Sequence, residues 1–330
     1  MENPLKNPDV SLYESSILRT LAYFDIFQYP LSFEEICQFS DLEFSAEKHL
    51  KATQNLVDLG IVNDLAGFYS LQNNQQLVEK RNLGNLQAAI LLTIGYRIGS
   101  FLYSFPYIKG IGISGSLSKN VAGPEDDIDF FIITQTDRLW IARTLMHIFK
   151  KITFLFGKQH WYCMNYYIDE KALEINEKNV FTATEVVTVI PVCGQSAFTK
   201  FYASNQWSKE YFPNHTLHKK CKKDDVAKLY MKRFFEFIFD NSFGNHLDNF
   251  CMKLTTKRWI QKEDRNQLTF KGELMGLKTD KHFARPNPEY LQKRILELYT
   301  MKLMELGLDQ IKKEETSTTL HSLSLKSLLN

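Results

Sequence analysis

KGIGISGSLSKNVAGPEDDIDFFIIT, residues 109–134, is the stretch on which the reading of the chain turns. Its apolar ends predict two strands, 108–114 and 127–134, joined through a glycine-serine turn at Gly115 and Ser116 and a polar loop. Strand alternation places Asp127 and Asp129 on one face and turns Ile128 and Phe130 the other way, into a core. Two carboxylates held side by side repel, and a cation relieves the repulsion. Hard-metal binding by Asp127 and Asp129, of Mg2+ or Mn2+, is therefore the first expectation. The backbone N–H groups of the turn and the Ser116 hydroxyl suit a phosphate. Lys119 in the following loop either reaches that phosphate or is an ordinary surface lysine.

A Gly-Ser turn at the end of one strand, followed eleven residues later by Asp-x-Asp at the start of the next, resembles the nucleotidyltransferase superfamily typified by DNA polymerase beta. The resemblance covers residues 86–215. It implies a small mixed-sheet core and transfer of a nucleoside monophosphate from a nucleoside triphosphate (NTP) to a hydroxyl-type acceptor. In that scheme Asp127 and Asp129 hold the metal, while Gly115, Ser116 and Lys119 hold phosphates. It also implies a third carboxylate on the next strand, where Asn165 stands, and an amide cannot act as a general base at neutral pH. Two acids offer themselves instead: Asp169, at the end of that strand, and Glu185, at an expected helix start where the helix dipole would also favour it. The alternative is a nucleotide-binding regulatory or scaffold protein that kept the fold and is catalytically weak or inactive.

Outward from this stretch, 330 residues suffice for two or three domains. The expected fold class is α+β: a nucleotidyltransferase core, 86–215, flanked by an N-terminal winged helix, 1–85, and a basic helical domain, 216–310, with a mobile tail, 311–330. Five cysteines scattered without a pairing pattern, and no leader-like run before them, lead to the expectation of a reducing cytoplasm. The most apolar run, 88–103, is broken by Arg97 and two glycines and is too short to span a bilayer, so no membrane partner is expected.

Before the core, Ile17, Leu18, Leu21 and Phe24 recur at helical spacing, and Ser32 with Glu35 forms a capping-box pattern for a second helix. A third helix, capped by Ser45, is expected to turn Leu50, Leu56 and Leu59 inward and to end at Gly60. Strands at 61–63 and 68–71 complete the winged helix. Residues 1–85 carry 6 Lys and Arg against 12 Asp and Glu, a net of −6, whereas the remainder carries 34 against 26, a net of +8. DNA affinity depends on neutralising phosphates, so this acidic module is expected to dock a protein rather than DNA.

Within and after the core, residues 72–85 read as a polar linker and 85–103 as a helix with Leu86, Ile90, Leu91 and Ile94 inward. A helix over 137–156 is expected to turn Leu139, Ala142, Leu145, Phe149 and Ile152 inward, and 161–168 to form a strand. Phe198, Phe201, Tyr202, Trp207, Tyr211 and Phe212 read as core, with Asn205 and Gln206 as possible base-edge donors. His215, His218 and Cys221 read as a solvated basic segment lacking a fourth metal ligand. Residues 219–239 read as a basic approach to an amphipathic helix. Lys278, Lys281, His282 and Arg285 are expected in a loop able to close over a triphosphate or an anionic acceptor, before a helix over 287–306. The partners expected are an NTP and an acceptor that is a small molecule, a protein or an RNA.

Overall fold

The computed structural model describes residues 11–123, 126–153, 162–217, 220–221, 229–265, 277–286 and 289–308. The fold is α+β and is built on a mixed six-stranded sheet. Ten helices are defined among the described residues: α1 Leu12–Asp25, α2 Phe33–Phe39, α3 Ala46–Asp58, α4 Gln76–Leu102, α5 Leu139–Thr153, α6 Val180–Thr188, α7 Gln195–Ser204, α8 Leu229–Phe239, α9 Ser242–Asp264 and α10 Glu289–Glu305. The strands are β1 Leu31–Ser32, β2 Asn63–Leu65, β3 Phe68–Ser70, β4 Ile108–Ile113, β5 Asp129–Thr134, β6 Cys163–Asp169, β7 Ile190–Cys193, β8 Leu277–Thr279 and β9 Phe283–Pro286.

The large sheet has the order β7-β4-β5-β6-β9-β8. β4 and β5 run antiparallel, from Ile108↔Thr134 to Ile113↔Phe130, so the two strands expected from the sequence do pair. α5 then crosses over to β6, which runs parallel to β5. Alternation along β5 divides the core. Phe130 and Ile132 lie in the cluster that also holds Ala88 and Leu91 of α4 and Trp140 of α5. Phe131 and Ile133 lie in the cluster formed with α6, α7, α10 and the N-terminal helices.

The first helix is closed by a capping box: Glu14 N donates to Ser11 Oγ at 3.2 Å and Ser11 N to Glu14 Oε2 at 2.6 Å. Ser32 and Glu35 form the second box as the sequence predicts. Ser45 precedes α3 but its side chain makes no cap bond. Leu56 is buried, whereas Leu50 and Leu59 point outward at 56% and 67% exposure. The inward face of α3 is instead His49, Ala52, Thr53 and Leu56, which polar His49 joins because its Nε2 bonds Ser40 Oγ at 3.0 Å. The β2–β3 turn sits at Ala66 and Gly67, both with positive φ, so the first strand begins two residues later than expected. β1 adds a third strand, in the order β1-β3-β2.

α4 begins at Gln76 and runs unbroken past residue 85, where a linker was expected. Its early turns hold the N-terminal module: Arg81 is buried, pairs with Glu35 at 2.7 Å, and stacks over the Tyr29 and Phe68 rings. Its later turns lie on the sheet through Gly95 and Gly99, where an added Cβ would come within 2.9 Å of Ile113 and Val192 respectively. That close approach turns Ala88, Leu91, Ile98 and Leu102 inward and leaves Leu86 and Ile90 exposed, against the expectation for both. Leu145 and Ile152 of α5 are likewise outward, displaced by buried Trp140, Arg143 and Met146.

The module formed by residues 11–75 and the described elements after residue 216 both share cores with the sheet. Tyr23 meets Tyr299 edge-on at 5.7 Å, Lys302 pairs with Asp25, and Asn214 donates to Cys37 O at 2.7 Å. His215 is buried against Phe39, with ring centroids 4.6 Å apart, rather than solvated. His218 lies outside the described residues, as do 311–330 and most of the basic approach to α8. On α8 itself Phe234, Phe235 and Phe237 are exposed, because Lys232 and Glu236 make the inward contacts: Lys232 Nζ donates to Tyr103 O at 3.1 Å and Tyr107 N to Glu236 Oε1 at 2.7 Å. No described helix is long and apolar enough to cross a membrane.

Candidate functional site

Asp129 is the first residue of β5, and Asp127 lies two residues before it. Ile128 and Phe130 are fully buried while both aspartates are half-buried, which is the alternation the sequence predicts. Across the strand pair, Ser114 N donates to Asp129 O at 2.9 Å. Gly115 follows with φ +68°, a left-handed conformation that glycine adopts without strain. A Cβ placed there would lie 2.6 Å from Asp129 Oδ2. The turn and the carboxylate therefore touch, and only a residue without a side chain permits it.

Ser116 is exposed at the head of a single 3-10 turn, Leu117–Lys119, anchored by buried Leu117. Two side chains hold the Gly115 carbonyl: Ser118 Oγ donates to it at 2.8 Å and Lys119 Nζ at 2.9 Å. Lys119 also pairs with Glu185 at 2.7 Å. Lys119 is thus built into the turn as well as near it. Glu185 is the sixth residue of α6 rather than a first-turn acid, because the helix starts at Val180 with Asn179 as its cap, accepting from Thr182 N at 3.0 Å. The loop beyond is fixed from α4: in the amide orientation that satisfies its neighbours, Asn85 donates to Asn120 O at 2.7 Å and to Tyr29 Oη at 3.2 Å.

On β6 the residue in register with Asp129 is Cys163. Its thiol hydrogen bonds to the Asp129 carboxylate; burial first, then the Asp129 charge and this bond, push the thiol well above its ordinary value. The backbone of Asn165 belongs to β6, but its side chain lies outside the described residues. Asp169 does not swing toward the pair. It ends β6 opposite Thr134, five residues along β5 from Asp129, or about 17 Å at strand spacing. There it is fully buried and accepts from Asp137 N at 3.0 Å, Lys171 N at 2.9 Å and His282 Nδ1 at 2.8 Å. Asp137, Asp169 and His282 form the one cluster among the described residues in which three such side chains approach closely enough to share an ion. Asp137 is itself paired with Lys171 at 2.9 Å, a bond that holds its carboxyl below the usual range.

The cationic stretch 277–286 is the β8–β9 hairpin and not a loop. It docks on β6 through Tyr167↔Ala284 and Ile168↔Phe283. Each of its cations meets a carboxylate: Lys278 and Arg285 meet Glu177, Lys281 meets Asp248 at 2.8 Å, and His282 meets Asp169. Closure over a triphosphate would require breaking those pairs. Strand pairing overrode the loop reading because the segment also carries Phe283 and Ala284 in alternation, a two-residue signal too short to read alone.

The aromatic residues after β7 are core, as expected: Phe198, Phe201 and Tyr202 are buried. Asn205 is also buried, accepting from Ile175 N at 2.8 Å and donating to Leu173 O at 2.7 Å, so its amide faces backbone and not a base. Gln206 likewise donates to Tyr202 O at 2.9 Å. Gly115, Lys119, Glu185 and Asp129 are joined by direct contact, with Ser116 and Asp127 beside them, while Asp169 stands apart. Compared with known proteins, the chain matches no family model, no curated protein and no solved structure.

Proposed function

We propose that the protein is a metal-dependent nucleotidyltransferase, moving a nucleoside monophosphate from an NTP to a hydroxyl on a small molecule, protein or RNA. The observation that carries this reading is the contact of Gly115 with the Asp129 carboxylate, which brings the Gly-Ser turn and the Asp-x-Asp pair to the same end of two adjacent strands. The donor set is hard and anionic, and both aspartates are half-buried at the same end of the strand pair, so Asp127 and Asp129 fit Mg2+ or Mn2+. When bound, the ion would neutralise charge on the triphosphate. Gly115 N–H and the Ser116 hydroxyl would bind the leaving phosphates. Lys119 and Ser118, by holding Gly115 O, fix the Gly115–Ser116 peptide plane and with it the direction of the Ser116 N–H. Such a site works by position and charge, which together carry most of the barrier reduction.

The N-terminal module fits a winged helix in element order. Leu50 of α3 and Leu59 just after it are exposed, close in the chain to exposed Phe44, in a segment of net charge −6, which supports protein docking over DNA. A cytoplasmic setting suits five cysteines not joined in disulfides.

The second reading, a nucleotide-binding scaffold with little or no turnover, is favoured by Cys163 standing in register with Asp129 and by the commitment of Asp169 elsewhere. Incubation of the protein with each labelled NTP, Mg2+ and cell extract separates the two. Label transfer that disappears in Asp127→Asn/Asp129→Asn supports the enzyme; Mg2+-dependent binding without transfer supports the scaffold.

A further inference from the structure

Among the described residues four arginines are buried: Arg81, Arg138, Arg143 and Arg285. Three of them point their fork at a carboxylate, Glu35, Asp240 and Glu177 respectively. Arg143, on α5, forms no ion pair among the described residues, and its Nε is buried without a partner. The Nε atoms of the other three are also unpartnered, so the difference lies in the missing acid. One turn along the same helix, His147 turns the same way, and its Nε2 is buried without a partner.

Both side chains lie over Tyr167 of β6. The Arg143 guanidinium is 5.8 Å from its ring, and the His147 ring is 6.2 Å from it at 35°. Trp140 flanks the guanidinium at 5.8 Å. Packing over two aromatic faces offsets part of the cost of burying the charge, but it offers no hydrogen-bond acceptor. The charged groups that act on His147 are Arg143, Lys150 and Lys151 of α5 and Lys262 of α9, all cationic. α9 closes the same side, where Cys251 bonds Thr144. A guanidinium buried without an acid, next to a histidine on which only cations act, is costly to a folded protein, and an anion would offset that cost.

We propose that Arg143 and His147 form a binding site for a small oxyanion, a phosphate or carboxylate group, between α5, β6 and α9. The Arg143 fork would take two oxygens and His147 Nε2–H a third, the pattern by which guanidinium groups select planar or tetrahedral oxyanions. The site lies on the sheet face of Trp140 and Tyr167, opposite the face that Phe131 shares with α6 and α7, and does not depend on the nucleotidyltransferase reading.

The test is thermal unfolding of the full chain in inorganic phosphate, in acetate and in chloride at matched ionic strength. The expected result is a saturable rise in Tm of about 3 °C at ten times the Kd for phosphate, acetate or both, which also tells the two oxyanion classes apart. Arg143→Met should be at least as stable as the parent in chloride, since it removes a buried unpaired charge, and should lose the rise; Arg143→Lys should weaken binding about tenfold. Asp127→Asn/Asp129→Asn, which disables the candidate nucleotide site, should keep it. No rise in the parent protein, or an equal rise in both Arg143 variants, overturns the proposal.

Discussion

Gly115 sits so close to Asp129 that a β-carbon on the first would lie 2.6 Å from Oδ2 of the second. The turn that would hold phosphate and the carboxylate that would hold metal therefore share one surface, and the backbone at 115 is left-handed as well. Gly115→Ala meets both obstacles. The strained φ costs about 1 kcal/mol, and the clash pushes Asp129 from its place. Expected is a protein that still folds, with urea midpoint slightly lowered, and NTP transfer reduced by about 100-fold or more.

Lys119 and Glu185 should separate in their effects. Their ion pair is partly exposed, with side chains at 18% and 32%, so breaking it costs less than about 1 kcal/mol of stability. Of the two, Lys119 also holds Gly115 O, together with Ser118. Lys119→Ala should therefore lower transfer well below what Glu185→Gln does, measured as kcat/KM for the NTP. If Glu185 were instead the missing general base, the order would reverse.

Which parts of this were legible in the sequence follows from range. The β4–β5 pair and its turn were readable because alternation, glycine and acid fall within 26 residues. The capping box at Ser32 and Glu35 was readable for the same reason. Leu50, Leu59, Leu86 and Ile90 misled because apolar residues at helical spacing do not say which stripe meets a neighbour, and Gly95 and Gly99 decided that for α4 only once Ile113 and Val192 lay against them. The hairpin 277–286 escaped because its partner strand is more than 100 residues away. Cys163 carried no acidic signature, and its place beside Asp129 comes from strand register alone.

Asp248 ties three elements together. It is fully buried on α9, accepts from Trp140 N and Ile141 N at 2.9 Å each at the start of α5, and pairs with Lys281 of the hairpin at 2.8 Å. Burial raises its carboxyl while Lys281 and the two amides lower it. Asp248→Ala leaves a lysine and two amides without their acceptor. A loss of about 3–5 kcal/mol is expected in urea unfolding. Lys281→Met, which removes only the half-exposed partner, should cost less.

His147 gives the stability an acid limb. Burial, followed by Arg143, Lys150, Lys151 and Lys262, pushes it down to about 3 from the ordinary 6.5. Between those values the unfolded chain binds the proton and the folded chain does not, so stability falls as pH drops from 6.5 toward 3 and is unaffected above. The loss approaches a few kcal/mol at about 1.4 kcal/mol per unit. His147→Gln should flatten that part of the curve of unfolding free energy against pH, measured in chloride buffer.

The central claim is that Asp127 and Asp129 are the metal-binding pair of a nucleotide-transfer site. Its most direct measurement is transfer of α-labelled NTP to acceptors in cell extract with Mg2+, comparing the parent protein with Asp127→Asn/Asp129→Asn. The account predicts labelled product from the parent and a loss of at least about 1,000-fold in the double variant, since both carboxylates that hold the ion are gone. Undiminished transfer by the double variant would contradict it.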